Sequence, residues 1–226
     1  MLFRSAIMAN ADLEGRTGKD IIVAVAAGYE FMFRLCDEFI PSTAARGFRP
    51  SPIYGTMGAT LASGLLMGLD EDRLVAAIAL AANFTSGLNE GPRVGSGEMS
   101  LHEPQAARNA VFAAQMARIS RVRPAESVIE GESGFYAVFA GNHRGDLSYS
   151  FTGSRHCDPA SVTSGLGERW LLLDAMFRMY PMAGYNQPVV DLVAEMLSGN
   201  GITHADIERL DVRMNWIETL YPSPAF

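Results

Sequence analysis

Lysine is all but missing from this chain. Of its 18 basic residues only Lys19 is not an arginine, so a mechanism through a lysine base or Schiff base has one position available. Cysteine is nearly as scarce: Cys36 and Cys157 form no CxxC pair and no Cys/His ligand set, which excludes a disulfide framework and fits a reducing compartment. Positive charge is not in excess either. With 18 Lys and Arg against 25 Asp and Glu the net charge is −7 and the pI about 5.1, which argues against a nucleic-acid binder or a polybasic membrane anchor. The longest apolar stretches, residues 21–27 and 75–82, fall far short of the roughly 20 residues that cross a bilayer. The first eight residues lack the basic start and long apolar core of a secretion signal. The expected location is cytoplasmic, with neither nucleic acid nor membrane as partner.

What remains is a chain built to fold. Its 226 residues are 48% hydrophobic and 19% charged, enough apolar surface for a sizeable core. Residues 17–39 read as a helix capped by Thr17, with Ile21, Ile22, Val25, Tyr29, Met32, Phe33 and Cys36 at helical spacing and Lys19, Asp20, Glu30 and Arg34 on a polar face. A proline-bearing loop, residues 41–52, leads to a second helix over 53–67. That helix is rich in small residues (Gly55, Gly58, Ala59, Ala62, Ser63, Gly64). Each glycine costs about 1 kcal/mol of helix propensity, so the small face reads as a surface for close helix crossing. Asp70 caps a third helix through Phe84, and His102, Glu103 and Pro104 open a fourth over 105–119. The glycines of residues 89–100 are too scattered for a phosphate loop. The fold class is mainly α: a compact all-α helical domain, followed after a polar connector (142–167) by the beginning of a smaller α+β unit, to which an alternating stretch at 207–216 contributes a strand.

Chemistry-bearing residues gather at helix starts. Arg49, Ser51 and Tyr54 lie just before or within the first turn of the small-faced helix, where unpaired N–H groups favour anions and an arginine can grip a carboxylate with two hydrogen bonds; a solvated or structural arginine fits the same sequence. His102 is a candidate acid or base at a comparable position, or a histidine satisfied by a backbone carbonyl. Arg178, Tyr180 and Gln187 place a cation, a phenol and an amide at the junction of the two parts, as a pocket or as a packing loop. His156, Cys157 and Asp158 adjoin, but neighbours in sequence seldom converge on one ion, and no metal site is expected. His143 and His204 fall in polar turns and stay outside the site. Thr203 to Asp206 reads as a turn start with a capping acid.

An ordered set of motifs resembles the MmgE/PrpD family. It comprises Gly18, Lys19 and Asp20; Ala27 to Glu30 with Arg34; Gly47 and Phe48 through Gly55; Gly58 and Ala59; Gly68 to Asp70; Ser86 to Leu88; Leu101 and His102 with Ala106 and Ala107. It continues with Ile129 to Gly131, Gly134 and Phe135, Leu166, Gly167 and Trp170, Tyr180 and Pro181, and Asp191. The resemblance implies a cofactor-independent lyase or isomerase of small di- or tricarboxylates, related to 2-methylcitrate dehydratase, cis-aconitate decarboxylase and iminodisuccinate epimerase, and usually a homodimer. It divides the chain into residues 1–165, an all-α domain lacking its N-terminal part, and 166–226, an incomplete start of the lid. No HxxDxDD run like the family's catalytic segment occurs here. Many members carry His at the position of Arg49, Lys at Met99, Lys at Arg178 and His at Gln187. Arginine cannot serve as the base that histidine can, and methionine cannot serve at all. The implied roles are therefore His102 as the proton-handling group and Arg49, Ser51, Tyr54, Arg178, Tyr180 and Gln187 around the substrate, by proton abstraction next to a carboxylate. The alternative is an inactive truncated homologue acting as a binding or dimerisation module.

Overall fold

A computed structural model describes residues 2–121, 123–141 and 159–213. In chain order its α-helices are α1 (Leu2–Leu13), α2 (Gly18–Cys36), α3 (Ile40–Ala45), α4 (Pro50–Leu66), α5 (Glu71–Phe84), α6 (Glu90–Val94), α7 (His102–Ile119), α8 (Phe135–Phe139) and α9 (Gln187–Asn200). Among the described residues no β-strand occurs, only an isolated antiparallel bridge between Phe48 and Leu88. No described helix is long and apolar enough to cross a membrane. The chain is mainly α, as expected. It separates into two compact units, Met1–Gly91 with Ser96–Asp174, and Pro92–Gly95 with Ala175–Phe226.

The caps read from the sequence form. The Thr17 hydroxyl accepts the Asp20 N–H at 3.3 Å while the Asp20 carboxylate accepts the Thr17 N–H at 2.8 Å, a reciprocal pair that satisfies two donors otherwise orphaned at a helix start. The Thr17 hydroxyl also donates to that carboxylate at 2.7 Å, and this bond together with the Thr17 N–H holds the Asp20 carboxyl below its ordinary pKa. Asp70 likewise accepts the Arg73 N–H at 3.0 Å and starts α5. Two expected loops contain short helices instead: α3 overlaps 41–52, and α6 with a 3-10 turn (Gly97–Leu101) overlaps 89–100.

In the first unit α4 is the central post, packed against α1, α2, α5 and α7. Its residues are buried on every side, from Pro52 and Ile53 to Gly64 and Leu66, so it shows no amphipathic stripe to distinguish an inside from an outside. The hydroxyls of Thr56 and Thr60 donate back to the carbonyls of Pro52 and Thr56, both at 2.7 Å, and so cost nothing in an apolar surrounding. Small side chains let the neighbours close in: Ala24, Ala59, Ala62, Ala106 and Ala110 share one cluster with Ala6, Ile7 and Ala11 of α1. A second cluster joins the α4 start to aromatics of 135–139, with Phe39 stacked on Tyr136 at 3.8 Å between ring centres.

Glu30 and Arg34, read as a polar face, are buried with 5% and 6% exposure. Their pairing explains it. Arg34 Nε donates to Glu30 Oε1 at 2.6 Å, and the rest of the guanidinium donates to the carbonyls of Val162 (3.1 Å), Ser164 (2.8 Å), Gly165 (3.4 Å) and Arg169 (2.6 Å). The other Glu30 oxygen accepts the Leu172 N–H at 2.9 Å. Burial pushes the Glu30 carboxyl upward in pKa, but the Leu172 N–H and Arg34 overcome it, and the group sits below the ordinary carboxylate value. One buried ion pair thereby fastens residues 162–172 to α2.

The second unit is different in kind: no described side chain between 175 and 213 is buried. It contains α9, ended by Gly201 in the left-handed region at φ 63°, and a 3-10 turn (His204–Asp206) opened by the expected Thr203–Asp206 capping pair. Residues 207–213 form no strand, and among the described residues no strand lies beside them to take their backbone hydrogen bonds. Met214 and Trp216, which complete the alternating stretch, lie outside the described residues, as do His143, His156, Cys157 and Asp158.

Candidate functional site

Arg49 is placed by backbone pairing before its side chain makes any contact. Its N–H donates to the Gly87 carbonyl at 3.0 Å and the Asn89 N–H donates to Gly47 at 2.8 Å, so residues 47–49 and 87–89 lock around the Phe48–Leu88 bridge. Gly47 and Gly87 take φ of 83° and 145°, a region that favours glycine. A Cβ on Gly87 would lie 2.6 Å from Cγ of Pro52, the third residue of α4. The chain then turns into α4 with Arg49 as its N-cap residue and Pro50 in the first turn.

The guanidinium reaches to the start of α7. Arg49 Nη2 lies 3.0 Å from Glu103 Oε1 and Nη1 donates to Glu103 Oε2 at 3.0 Å, the two-pronged grip of an arginine on a carboxylate. Nη1 also donates to the Met99 carbonyl at 2.9 Å, and the Ser51 hydroxyl donates to Glu103 Oε1 at 2.9 Å. His102 Nδ1 stands 3.4 Å from Arg49 Nη1. The side chains of Arg49 and Glu103 are 16% and 24% exposed, so the pair is neither sealed in the core nor fully hydrated.

The structure thus brings together Arg49, Ser51 and His102 of the residues expected at the site. Tyr54 goes elsewhere. It is 1% exposed, its ring meets Phe135 edge-on at 5.5 Å, and its hydroxyl lies 2.7 Å from the Thr43 hydroxyl. One turn further along, α4 is enclosed on every side, so Tyr54 packs in the core. Arg178, Tyr180 and Gln187 gather in the second unit. The Gln187 side-chain oxygen accepts the N–H groups of Met179 and Tyr180, both at 2.9 Å, while its nitrogen donates to the Tyr180 carbonyl at 3.0 Å. Gln187 is spent in shaping that turn. Tyr180 donates to Asp191 at 2.6 Å, and this bond raises the phenol's pKa; Arg178 is exposed, with a 3.3 Å bond to the Met182 carbonyl.

Glu103 is the residue that the sequence reading leaves out of the site: it adjoins His102 at a helix start, and its partnership with Arg49 shows only in the fold. A separate open cleft of about 480 Å³, lined by Asn83, Ser127, Ser133, Phe135 and Phe139 among others, includes none of the expected site residues. Among the described residues no group of three or more His, Cys, Asp or Glu side chains is placed to hold a metal ion.

The glycine-locked loop, the helix starts it feeds and the histidine beside them all lie within residues 3–147, which match the family model of the MmgE/PrpD N-terminal domain. The chain belongs to the MmgE/PrpD family. Among curated proteins, a cis-aconitate decarboxylase-like protein of Aspergillus oryzae, oryM, is 26% identical over 169 residues, covering 74% of this chain and 33% of that protein. The chain therefore spans about a third of the length of that relative. Arg178, Tyr180 and Gln187 lie beyond the residues that match the family model.

Proposed function

We propose that this MmgE/PrpD chain acts on a small di- or tricarboxylate, with proton abstraction next to a carboxylate followed by loss of water or carbon dioxide, or by reprotonation on the opposite face. The observation that supports it is the grip of Arg49 and Ser51 on the Glu103 carboxylate: a guanidinium and a hydroxyl already disposed as a carboxylate receptor, with an imidazole 3.4 Å from the guanidinium. In this reading Arg49 and Ser51 hold a substrate carboxylate. His102, whose ring stands beside Arg49, takes the proton from the carbon next to the carboxylate and gives it to a departing hydroxyl or back to the carbanion, a role that needs a titratable group and not a fixed cation. The name of the Aspergillus relative, cis-aconitate decarboxylase-like, points to the same substrate class.

Proton abstraction precedes all three outcomes, so its test is common to them. The chain is incubated in D2O with citrate, cis-aconitate and their shorter analogues, and deuterium at the carbon next to the carboxylate is followed by NMR. Exchange that His102→Asn abolishes is the expected result. Absence of both exchange and any thermal shift by tricarboxylates overturns the reading. A second reading, a binding or dimerisation module without turnover, draws support from arginine at a position where many members have histidine, and from Gln187 being spent on its own turn. Tricarboxylate binding without exchange would favour it.

A further inference from the structure

Glu103 occupies the place where, in the reading above, a substrate carboxylate would bind, and this inference rests on that reading. We propose that Glu103 is an internal competitor: its carboxylate fills the Arg49–Ser51 receptor in the unliganded protein and is displaced by an incoming carboxylate, so it sets how strongly and how selectively the chain takes polyanions. Three observations carry the proposal. The grip is two-pronged, with both guanidinium nitrogens 3.0 Å from a Glu103 oxygen and Ser51 adding a third bond at 2.9 Å, so no receptor atom on this side is left for a second carboxylate while Glu103 stays. The occupant is a side chain 24% exposed at the first turn of α7, so it can rotate into water without unpacking a helix. The receptor survives the departure, because Arg49 is held independently by its own N–H on Gly87 and by Nη1 on the Met99 carbonyl at 2.9 Å.

Displacement exchanges one carboxylate for another on the same donors. A monocarboxylate therefore gains nothing it does not also destroy, whereas a di- or tricarboxylate can add contacts beyond Arg49 and Ser51 that offset the bonds it displaces. Glu103 would act as a filter for substrates with more than one carboxylate.

The test measures binding of citrate and acetate by calorimetry at fixed ionic strength, with wild type, Glu103→Gln, Arg49→Ala and the double variant Arg49→Ala/Glu103→Gln, each first checked for a native circular dichroism spectrum. Glutamine keeps the shape and the Ser51 bond but releases the charge. The expected result is citrate affinity at least about tenfold higher in Glu103→Gln, narrower discrimination between citrate and acetate, and loss of the gain in the double variant. A purely structural Glu103 would move affinity in the opposite direction, since losing the pair would loosen Arg49. Citrate binding by wild type that depends on Arg49 but is unchanged or weakened in Glu103→Gln overturns this inference and leaves the polycarboxylate reading standing. Binding that ignores Arg49, or no binding by any variant, overturns both. If Glu103→Gln does not fold, Glu103→Ala carries the same expectations.

Discussion

Replacing Arg34 by methionine removes the charge that fastens residues 162–172 to α2 while keeping most of the stem's bulk. The guanidinium and the Glu30 carboxylate are each about 95% withdrawn from water, and Arg34 also holds four backbone carbonyls. Removing one partner of a buried pair strands the other charge, which costs about 3–5 kcal/mol. Each carbonyl that stays buried without its donor adds about 1 kcal/mol, unless the segment lifts into water. Urea unfolding followed by far-ultraviolet circular dichroism should show a loss of roughly 3–5 kcal/mol, and trypsin should cut after Arg169 earlier than in wild type. Glu30→Gln added to Arg34→Met should recover part of the loss, because glutamine is neutral and still accepts the Leu172 N–H. The pH dependence has a definite sign. The Glu30 pKa is lowered in the folded protein, so the stability it contributes is present above the ordinary carboxylate value and is lost as pH falls through the depressed one. The Arg34→Met penalty should therefore shrink in acid as the stranded carboxylate becomes neutral. A change under about 1 kcal/mol, the scale of a solvated pair, with cleavage at Arg169 unaltered, would refute the reasoning.

Three further outcomes are expected. Gly87→Ala meets both an unfavourable φ and the rigid ring of Pro52; it should destabilise by about 1–3 kcal/mol and weaken any ligand that depends on Arg49, measured by urea unfolding and calorimetry. Thr17→Ala removes the α2 cap and should cost about 1 kcal/mol, whereas Thr17→Ser should be nearly silent in the same unfolding assay. Cys36 is buried, and burial, with Asp37 adding to it, pushes its thiol up to about 12; alkylation mapped by mass spectrometry should leave it unmodified until urea unfolds the chain, and rapid native labelling would contradict this.

The long helices were legible because their signals are local: Thr17, Asp70 and Pro104 mark starts, and apolar spacing marks the faces. α1 escaped notice because the residues it buries are Ala6, Ile7, Asn10 and Ala11, too small and too polar to stand out as a stripe. α3 and α6 are shorter than the span over which periodicity can be counted. Glu30 and Arg34 were misplaced for a different reason: charge predicts exposure only when the partner is water, and here each charge has the other and a row of peptide groups. At the site, position was readable and partnership was not. Arg49 does grip a carboxylate, but the carboxylate comes from residue 103, 54 positions on, and no pattern along the chain brings those two together. Tyr54 shows the reverse error, since its place in sequence suits a site while its place on the helix faces the core.

The burial of α4 on every side sets what this chain can change. A post enclosed by four helices accepts few substitutions along its length, because each position has a fixed volume to fill. Arg49 sits just outside the enclosure on a glycine-locked loop, where its side chain meets Glu103 and the Met99 carbonyl rather than the packed core. The post thus fixes the positions, and the side chains mounted at its tip, Arg49 with Glu103 and His102 beside it, set the chemistry.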